Sequence, residues 1–188
     1  MPPALVYIHG FNSSPASFKA KVLHDRLAAL GNAHGLIAPA LPSSPAAAAR
    51  MLEALVQTQA DAVLVGSSLG GYYATWLAEK FNMRAVLLNP AVRPYDLLAS
   101  YVGVQKNLHT GQEYEFTAAH LDELRALEVT AITPERYFLI VTTGDEVLDY
   151  RDAVEKYRAA KQLVIEGGDH GLSGFPDHVD ALLAFARA

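Results

Sequence analysis

The sequence of 188 residues contains no cysteine, which excludes disulfide bonds and thiolate metal sites. It has no apolar stretch of the roughly 20 residues that a membrane-spanning helix needs. The net charge is −5 and no cluster of lysine and arginine stands out, which argues against nucleic acid or an anionic membrane as a partner. Residues 1–4 lack the basic and apolar segments of a secretory leader. We therefore expect a cytoplasmic protein, and its oligomeric state stays open.

Short apolar runs alternate with helical patterns along most of the chain. The length suits a single domain, residues 1–188. Ser14-Pro15 and Ser44-Pro45 are typical of helix N-termini. The apolar runs that predict strands are residues 5–8, 36–38, 62–65, 84–88, 137–141 and 162–165. This alternation predicts an α/β fold: a doubly wound, mostly parallel sheet of about six strands with helices on both faces.

The alternation stops in residues 91–133, hereafter the insertion. It contains two helical patches, 95–102 and 118–127, around a polar middle with no obvious strand. A segment of this length is too long for an ordinary connection, so we expect a small helical lid over the sheet. Its tyrosines, Tyr95, Tyr101 and Tyr114, either line a substrate pocket or anchor the insertion.

The sequence around Ser68 predicts a reactive serine. The strand at 62–65 ends in Gly-x-Ser-x-Gly and a helical pattern follows at once, which is the setting of a nucleophile elbow. Ser68 has glycine two residues away on each side, whereas the adjacent Ser67 does not. Ordinary strand-to-helix turns and phosphate-binding turns share this pentapeptide, but Tyr72 stands where a nucleotide-binding loop requires lysine.

Two later residues complete a possible catalytic triad. A serine hydroxyl needs a base, and the base needs an orienting group. Asp145 and His170 each follow a strand, so they should reach the same edge of the sheet as Ser68, in the chain order that hydrolases on such sheets use. Asp149 is the alternative acid, although its position suits a helix cap. His9 is expected to be structural, with contact to substrate left open.

Five segments carry a family resemblance: YIHGFNSSP (7–15), GSSLGGYYATW (66–76), NPAVRP (89–94), TGDEVLDY (143–150) and EGGDH (166–170). They resemble the α/β-hydrolases, and within them the small bacterial esterases of the YqiA-like family. The resemblance implies an α/β-hydrolase fold, a Ser68-His170-Asp145 triad and hydrolysis of short-chain carboxylic esters without metal or organic cofactor. The backbone N–H groups of Phe11 and Leu69 would then form the oxyanion hole. Tyr72, Tyr73 and Trp76 are expected to pack in the core and at the pocket edge.

Two other functions remain open at this stage. An acyl-CoA thioesterase would use the same triad, and Arg93, Lys106 and Arg125 in the insertion could meet the phosphates of the nucleotide. A non-catalytic binding protein could keep the fold without turnover, although the complete set of Ser68, Asp145 and His170 argues against it. The expected partner is a small-molecule ester or an acyl-CoA.

Overall fold

The computed structural model describes residues 3–188. Met1 and Pro2, where the sequence indicates no leader, lie outside this range. The described residues form eight strands: β1 (Leu5–Ile8), β2 (Leu36–Ile37), β3 (Val63–Ser67), β4 (Ala85–Leu88), β5 (Gly103–Lys106), β6 (Glu113–Phe116), β7 (Tyr137–Thr142) and β8 (Lys161–Ile165). Six of them build one parallel sheet in the order β2-β1-β3-β4-β7-β8. The six predicted strands are confirmed.

Seven α-helices connect or flank these strands in the described chain: α1 (Phe18–Ala29), α2 (Pro45–Gln57), α3 (Leu69–Phe81), α4 (Pro94–Leu97), α5 (Ala118–Arg125), α6 (Tyr150–Lys156) and α7 (Val179–Arg187). Ser44 caps α2 as predicted, since its Oγ accepts the N–H of Ala47 at 3.2 Å. The Ser14-Pro15 prediction is wrong: α1 begins at Phe18, and Ser14 Oγ instead accepts the N–H of Ala16 within a turn. Within residues 3–188, no helix combines the length and apolarity needed to span a bilayer.

Each face of the sheet carries its own apolar core. In β1, Val6 and Ile8 pack on the face covered by α2 and α3, while Leu5 and Tyr7 pack on the face covered by α1 and α7. This follows from the two-residue period of a strand, and the strand is buried on both faces because helices cover both. The doubly wound arrangement is therefore confirmed.

The insertion differs in part from the prediction. Its two helical patches contain α4 and α5, but strands β5 and β6 form an antiparallel hairpin in the predicted polar middle, with Gly103 opposite Phe116. The strands have four residues each, and Val104 points to solvent with 72% of its surface exposed while Phe116 is buried. A short strand with polar residues and an outward valine lacks the apolar alternation by which strands are detected.

The strand order places four loops at one edge of the sheet. The chain proceeds from β1 to β2 on one side and to β3 on the other, so the order reverses at β1. Such a reversal opens a crevice beyond the carboxyl ends of the strands. The loops after β1, β3, β7 and β8 all border this edge, and they carry the residues that the sequence singles out.

Candidate active site

Ser68 lies in a strained turn between β3 and α3. Its backbone has φ 53° and ψ −120°, a conformation that non-glycine residues rarely adopt. The turn also forces close contacts: a Cβ on Gly66 would lie 2.4 Å from the Gly70 carbonyl oxygen, and one on Gly70 would lie 1.9 Å from that of Ile8. Glycine is therefore required on each side of Ser68, as the elbow motif predicts.

The structure brings Ser68, His170 and Asp145 together. His170 Nε2 lies 3.0 Å from Ser68 Oγ, and His170 Nδ1 lies 2.8 and 3.0 Å from the two carboxylate oxygens of Asp145. A carboxylate only accepts, so Nδ1 carries the proton and Nε2 is left to accept from the serine hydroxyl. The side chain of Asp145 is 2% exposed and that of His170 is 22% exposed. This geometry matches a nucleophile, its base and an orienting acid.

The environment keeps Asp145 ionised. Burial alone would raise the pKa of Asp145, but the hydrogen bond from His170 and the N–H groups of Leu148 and Val147, at 2.8 and 2.9 Å, outweigh it and lower the pKa. Asp149, the alternative acid, caps α6 instead by accepting the N–H of Arg151 at 3.0 Å. Of the two carboxylates, Asp145 is the one in contact with His170.

The loop that carries His170 is supported by Asn89, which the sequence analysis did not identify as a site residue. Asn89 is buried at φ 42°, and its Nδ2 donates to the carbonyl oxygens of Asp169 and His170 at 3.1 and 3.2 Å. Its Oδ1 accepts the N–H of Thr142 at 2.9 Å, and Thr142 Oγ1 donates to the Asp169 carbonyl at 3.0 Å. In the sequence, Asn89 directly follows the apolar run 84–88 and opens the segment NPAVRP, and neither feature by itself marks it as a site residue.

Two exposed or half-buried contacts complete this support. Glu146 accepts the N–H of His170 at 2.9 Å, and Lys19 Nζ donates to the carbonyl oxygen of Gly171 at 2.6 Å. Burial lowers the pKa of Lys19 to about 8, although the charges of Asp169 and Asp145 act in the opposite direction. The backbone on both sides of the imidazole is therefore held by side chains from other elements.

The loop after β1 lies against the serine. A Cβ on Gly10 would come within 3.1 Å of Ser68 Cβ. The Gly10 carbonyl accepts a hydrogen bond from His9 Nδ1 at 3.0 Å, which orients the peptide whose N–H belongs to Phe11. Within residues 3–188, neither the N–H of Phe11 nor that of Leu69 has a hydrogen-bond acceptor. Both are thus available to an oxygen next to Ser68.

His9 is buried and holds this loop in place. Its Nε2 accepts the N–H of Leu41 at 3.3 Å while Nδ1 donates to Gly10, which assigns one neutral tautomer. Burial lowers the pKa of His9 and favours that neutral form. His9 has the structural role that the sequence suggests, and it also contributes to the wall of the adjoining cavity.

A cavity of about 330 Å³, hereafter the β1-side cavity, opens beside Phe11 and Leu69. Fifteen residues line it, none of them Lys, Arg, Asp or Glu: His9, Gly10, Phe11, Asn12, Ser13, Leu41, Pro42, Ser43, Pro45, Leu69, Tyr73, Asn107, Gln112, Tyr114 and Phe116. Of the insertion's tyrosines, Tyr114 lines the cavity and donates to Asn12 Oδ1 at 2.7 Å. Tyr95 anchors the insertion through Glu128 at 2.7 Å, and Tyr101 packs edge-on against Phe11.

A second cavity of about 310 Å³ adjoins the loop that carries Asp145. Its lining includes Leu148 and four charged residues, one basic and three acidic: Arg93, Asp96, Asp149 and Asp152. Arg93 is paired with Asp96 at 3.7 Å. In the described part of the chain, no three His, Cys, Asp or Glu side chains are grouped as metal ligands.

Solved structures share this architecture. A protein from Agrobacterium vitis S4, provisionally termed a hydrolase, superposes with a TM-score of 0.79 at 20% identity, over 98% of this chain and 88% of its own. Alpha/beta hydrolase domain-containing protein 10 from mouse superposes with a TM-score of 0.73 at 17% identity, over 97% of this chain and 90% of its own. The esterase domain of a Rhodothermus marinus protein superposes with a TM-score of 0.67 at 20% identity, over 100% of this chain and 88% of its own. At these identities the similarity shows the fold alone.

The sequence match is more specific than the structural one. Residues 4–187 match the family described as "Uncharacterised protein family (UPF0227)". The chain therefore belongs to the UPF0227 family, and its sheet and structural neighbours show the α/β-hydrolase fold that the five sequence segments indicated.

Proposed function

We propose that this protein is a serine hydrolase that cleaves carboxylic esters of short acyl chains. The observation that carries this proposal is the continuous hydrogen-bonded chain from Ser68 Oγ through His170 to Asp145. A serine hydroxyl is a weak nucleophile by itself, and this arrangement is the one that activates it. The N–H groups of Phe11 and Leu69, which have no acceptor within residues 3–188, would add the electrostatic part of the same chemistry.

In the first half of the reaction, Ser68 Oγ attacks the acyl carbonyl carbon and His170 Nε2 takes the hydroxyl proton. Asp145 stabilises the imidazolium that forms. The carbonyl oxygen becomes an oxyanion that accepts from the N–H groups of Phe11 and Leu69, each of which is expected to stabilise the transition state by about 3 kcal/mol. The carbon–oxygen bond to the alcohol then breaks, and His170 donates its proton to the leaving alkoxide.

In the second half, water replaces the alcohol. His170 accepts a proton from the water molecule, and the water oxygen attacks the ester carbonyl of acylated Ser68. The second tetrahedral intermediate uses the same two N–H groups. Its collapse releases the carboxylic acid and returns the proton to Ser68 Oγ.

The preference for short acyl chains is supported by the size of the β1-side cavity. Its volume of about 330 Å³ lies at the lower end of the range for small-molecule sites. We place the insertion as a lid over this cavity, because Phe11 contacts Phe116 at a ring distance of 5.3 Å and Tyr101 at 5.8 Å. The hairpin and its turn contribute Asn107, Gln112, Tyr114 and Phe116 to the cavity wall.

An acyl-CoA thioesterase is the less favoured reading of the same triad. Two of the three basic residues that could meet nucleotide phosphates are paired with acids: Arg93 contacts Asp96, and Arg125 contacts Asp122 at 2.9 Å, which leaves Lys106 as the third. A non-catalytic binding protein is disfavoured by the complete hydrogen-bonded triad. Both alternatives give different outcomes in the experiment below.

The test is a fluorophosphonate label combined with a panel of p-nitrophenyl esters and acyl-CoAs of graded chain length. We expect the wild type to be labelled and to turn over short esters best. Ser68→Ala should lose labelling and lower ester turnover by about 10³-fold or more, because the remaining groups have no nucleophile to activate.

The matched control is Ser67→Ala, which removes the neighbouring hydroxyl, buried at the end of β3. It should keep both the label and turnover. Labelling of Ser68→Ala, or no labelling of a folded wild type, would refute the proposal. A large preference for CoA derivatives would move the assignment to the thioesterase.

A further inference from the structure

Tyr73 differs from the other buried tyrosines in the state of its hydroxyl. Its side chain is 3% exposed. The hydroxyls of the remaining buried tyrosines each have a partner in residues 3–188: Tyr7 with Ser17, Tyr72 with Leu124, Tyr95 with Glu128, Tyr137 with Glu79 and Tyr157 with Thr75. The Tyr73 hydroxyl makes no such bond within the described chain. A buried tyrosine normally satisfies this group.

The unpaired hydroxyl opens into the β1-side cavity. Every fully enclosed side-chain nitrogen or oxygen in the described residues has a hydrogen-bond partner, so the Tyr73 oxygen is not one of the enclosed atoms. Tyr73 lines the cavity and only 3% of the residue is exposed in all, so the cavity is the place where its hydroxyl can meet solvent or a ligand. Burial, with Glu123 nearby, raises the pKa of Tyr73, so the group stays a neutral phenol that can donate.

The rest of the wall is uncharged but polar. Asn12 is already committed, since it donates to Gln105 at 3.2 Å and accepts from Tyr114 at 2.7 Å. Ser13, Ser43 and Gln112 make no side-chain hydrogen bonds within residues 3–188 and add neutral donors and acceptors to the same wall. A saturated alkyl chain in the cavity would exclude water from the Tyr73 hydroxyl without giving it a hydrogen-bond partner, which would weaken binding.

The lining of the β1-side cavity favours it as the site of the acyl group of the ester. The leaving alcohol must lie next to His170 Nε2, which protonates it. The β1-side cavity contains no residue of the loops that carry Asp145 and His170, whereas the second cavity includes Leu148 and Asp149 of the acid loop. The group that remains on Ser68 after the alcohol departs is therefore the one directed toward Tyr73.

We propose that the substrate is an ester whose acyl chain carries a neutral oxygen, a ketone or hydroxyl, that hydrogen-bonds to Tyr73 in the β1-side cavity. This inference rests on the proposed esterase function and narrows it to oxygenated short-chain acids. Specificity of this kind arises from one buried polar group, because an analogue without the oxygen leaves that group unpaired.

The experiment compares matched p-nitrophenyl esters. One series has a ketone at the fourth, fifth or sixth acyl carbon, and the other has a methyl-branched carbon at the same position, which keeps a substituent of similar size but removes the acceptor. We expect the wild type to prefer one ketone ester by about tenfold in kcat/KM over its branched partner. In Tyr73→Phe this ratio should fall to near one.

Tyr72→Phe is the matched control, since it removes the same atom one residue earlier on α3. The Tyr72 hydroxyl donates to the carbonyl of Leu124 at 2.8 Å and does not border the cavity. Its ketone-to-branched ratio should equal that of the wild type. Thermal unfolding checks that both variants are folded.

The outcomes separate this inference from the proposed function. Labelled, active wild type that prefers the branched ester at every position would overturn the role of Tyr73 and leave the esterase intact. A ketone preference that survives in Tyr73→Phe would do the same. Absence of both labelling and ester turnover in the folded wild type would overturn the esterase itself.

Discussion

At the scale of single residues, the position of His170 depends on an asparagine that contacts the backbone of His170 and not its imidazole ring. Asn89 binds the two carbonyl oxygens around His170 from the end of β4, and it does so from a left-handed backbone conformation. Such strain persists only where surrounding contacts impose it. The amide can satisfy this site because it offers donors to the carbonyls and an acceptor to Thr142.

Asn89→Asp should impair turnover more than binding. The carboxylate keeps the shape and the acceptor for Thr142, but it faces two carbonyl oxygens with no donor and should displace the loop. A shift of about 1 Å in a catalytic group costs up to about 100-fold in rate, so we expect kcat to fall by about 10- to 100-fold. Steady-state kinetics on p-nitrophenyl acetate would measure kcat and KM separately.

The control for this substitution is Asn82→Asp, which makes the same change at another left-handed position. Asn82 is exposed at the end of α3 and accepts from Arg136 at 2.7 Å, remote from the His170 loop. Its kcat should stay within about twofold of the wild type. A kcat for Asn89→Asp in the same range would contradict the positioning role.

At the scale of elements, Glu79 joins α3 to the end of the insertion and to β7. Its carboxylate accepts from the N–H and hydroxyl of Thr133 at 2.8 and 2.9 Å, from Arg136 at 2.9 Å and from the Tyr137 hydroxyl at 2.6 Å. Burial alone would raise the pKa of Glu79, but the hydrogen bonds from Tyr137 and Thr133 and the charge of Arg136 lower it. The carboxylate is thus the form that the fold prefers.

Glu79→Gln should destabilise the protein by about 1–3 kcal/mol at neutral pH. The amide NH2 group of the glutamine would face N–H and O–H groups that are themselves donors, so hydrogen bonds would be lost. The pH dependence has a definite sign. The folded pKa lies below the ordinary value of about 4.3, so the stabilisation is complete above that value and disappears as the pH falls through the folded pKa. Urea unfolding of both proteins between about pH 7 and pH 3 would show the difference shrinking on acidification.

Glu155→Gln supplies the comparison, since Glu155 is an exposed glutamate paired with Arg158 three residues later. Its effect should be within about 0.5 kcal/mol at any pH. If Glu79→Gln behaved like Glu155→Gln, the junction would contribute little to stability.

At the scale of the whole molecule, the sequence predicted the sheet and failed on the hairpin. The six parallel strands are short apolar runs, and their burial on both faces makes them visible as such. The proximity of Ser68, Asp145 and His170 could be predicted because all three follow strands that end at one edge of the sheet. Their catalytic roles remain a proposal. The hairpin could not be found this way because its strands lack apolar alternation, and the role of Asn89 could not because it depends on contacts with Thr142, Asp169 and His170, which are distant in the sequence.

The hairpin is bound to the loop after β1 by four hydrogen bonds. Asn12 donates from Nδ2 to Gln105 and accepts from Tyr114, and its carbonyl accepts the N–H of Leu108 at 2.9 Å. The fourth bond runs from Asn107 Nδ2 to the carbonyl of Ser13 at 2.8 Å. These contacts hold the segment that supplies the N–H of Phe11.

Gln105→Ala should therefore lower kcat/KM for p-nitrophenyl acetate, although Gln105 does not border the β1-side cavity. Loss of one hydrogen bond of about 1 kcal/mol corresponds to about a fivefold decrease. Val104→Ala, which alters the exposed neighbour on the same strand, should leave kcat/KM unchanged. Equal rates for the two variants would show that the hairpin does not influence the loop.

The attachment of the hairpin has a consequence for how such proteins diversify. A segment that only shapes a substrate cavity can vary between relatives, whereas the N–H groups that we propose for the oxyanion must keep their positions. Here Asn12 connects the two, so new specificities are expected to arise through paired exchanges at Asn12, Gln105 and Tyr114. A chimera that receives a relative's hairpin alone would have a mismatched loop after β1, and one that receives residues 10–14 with it would not.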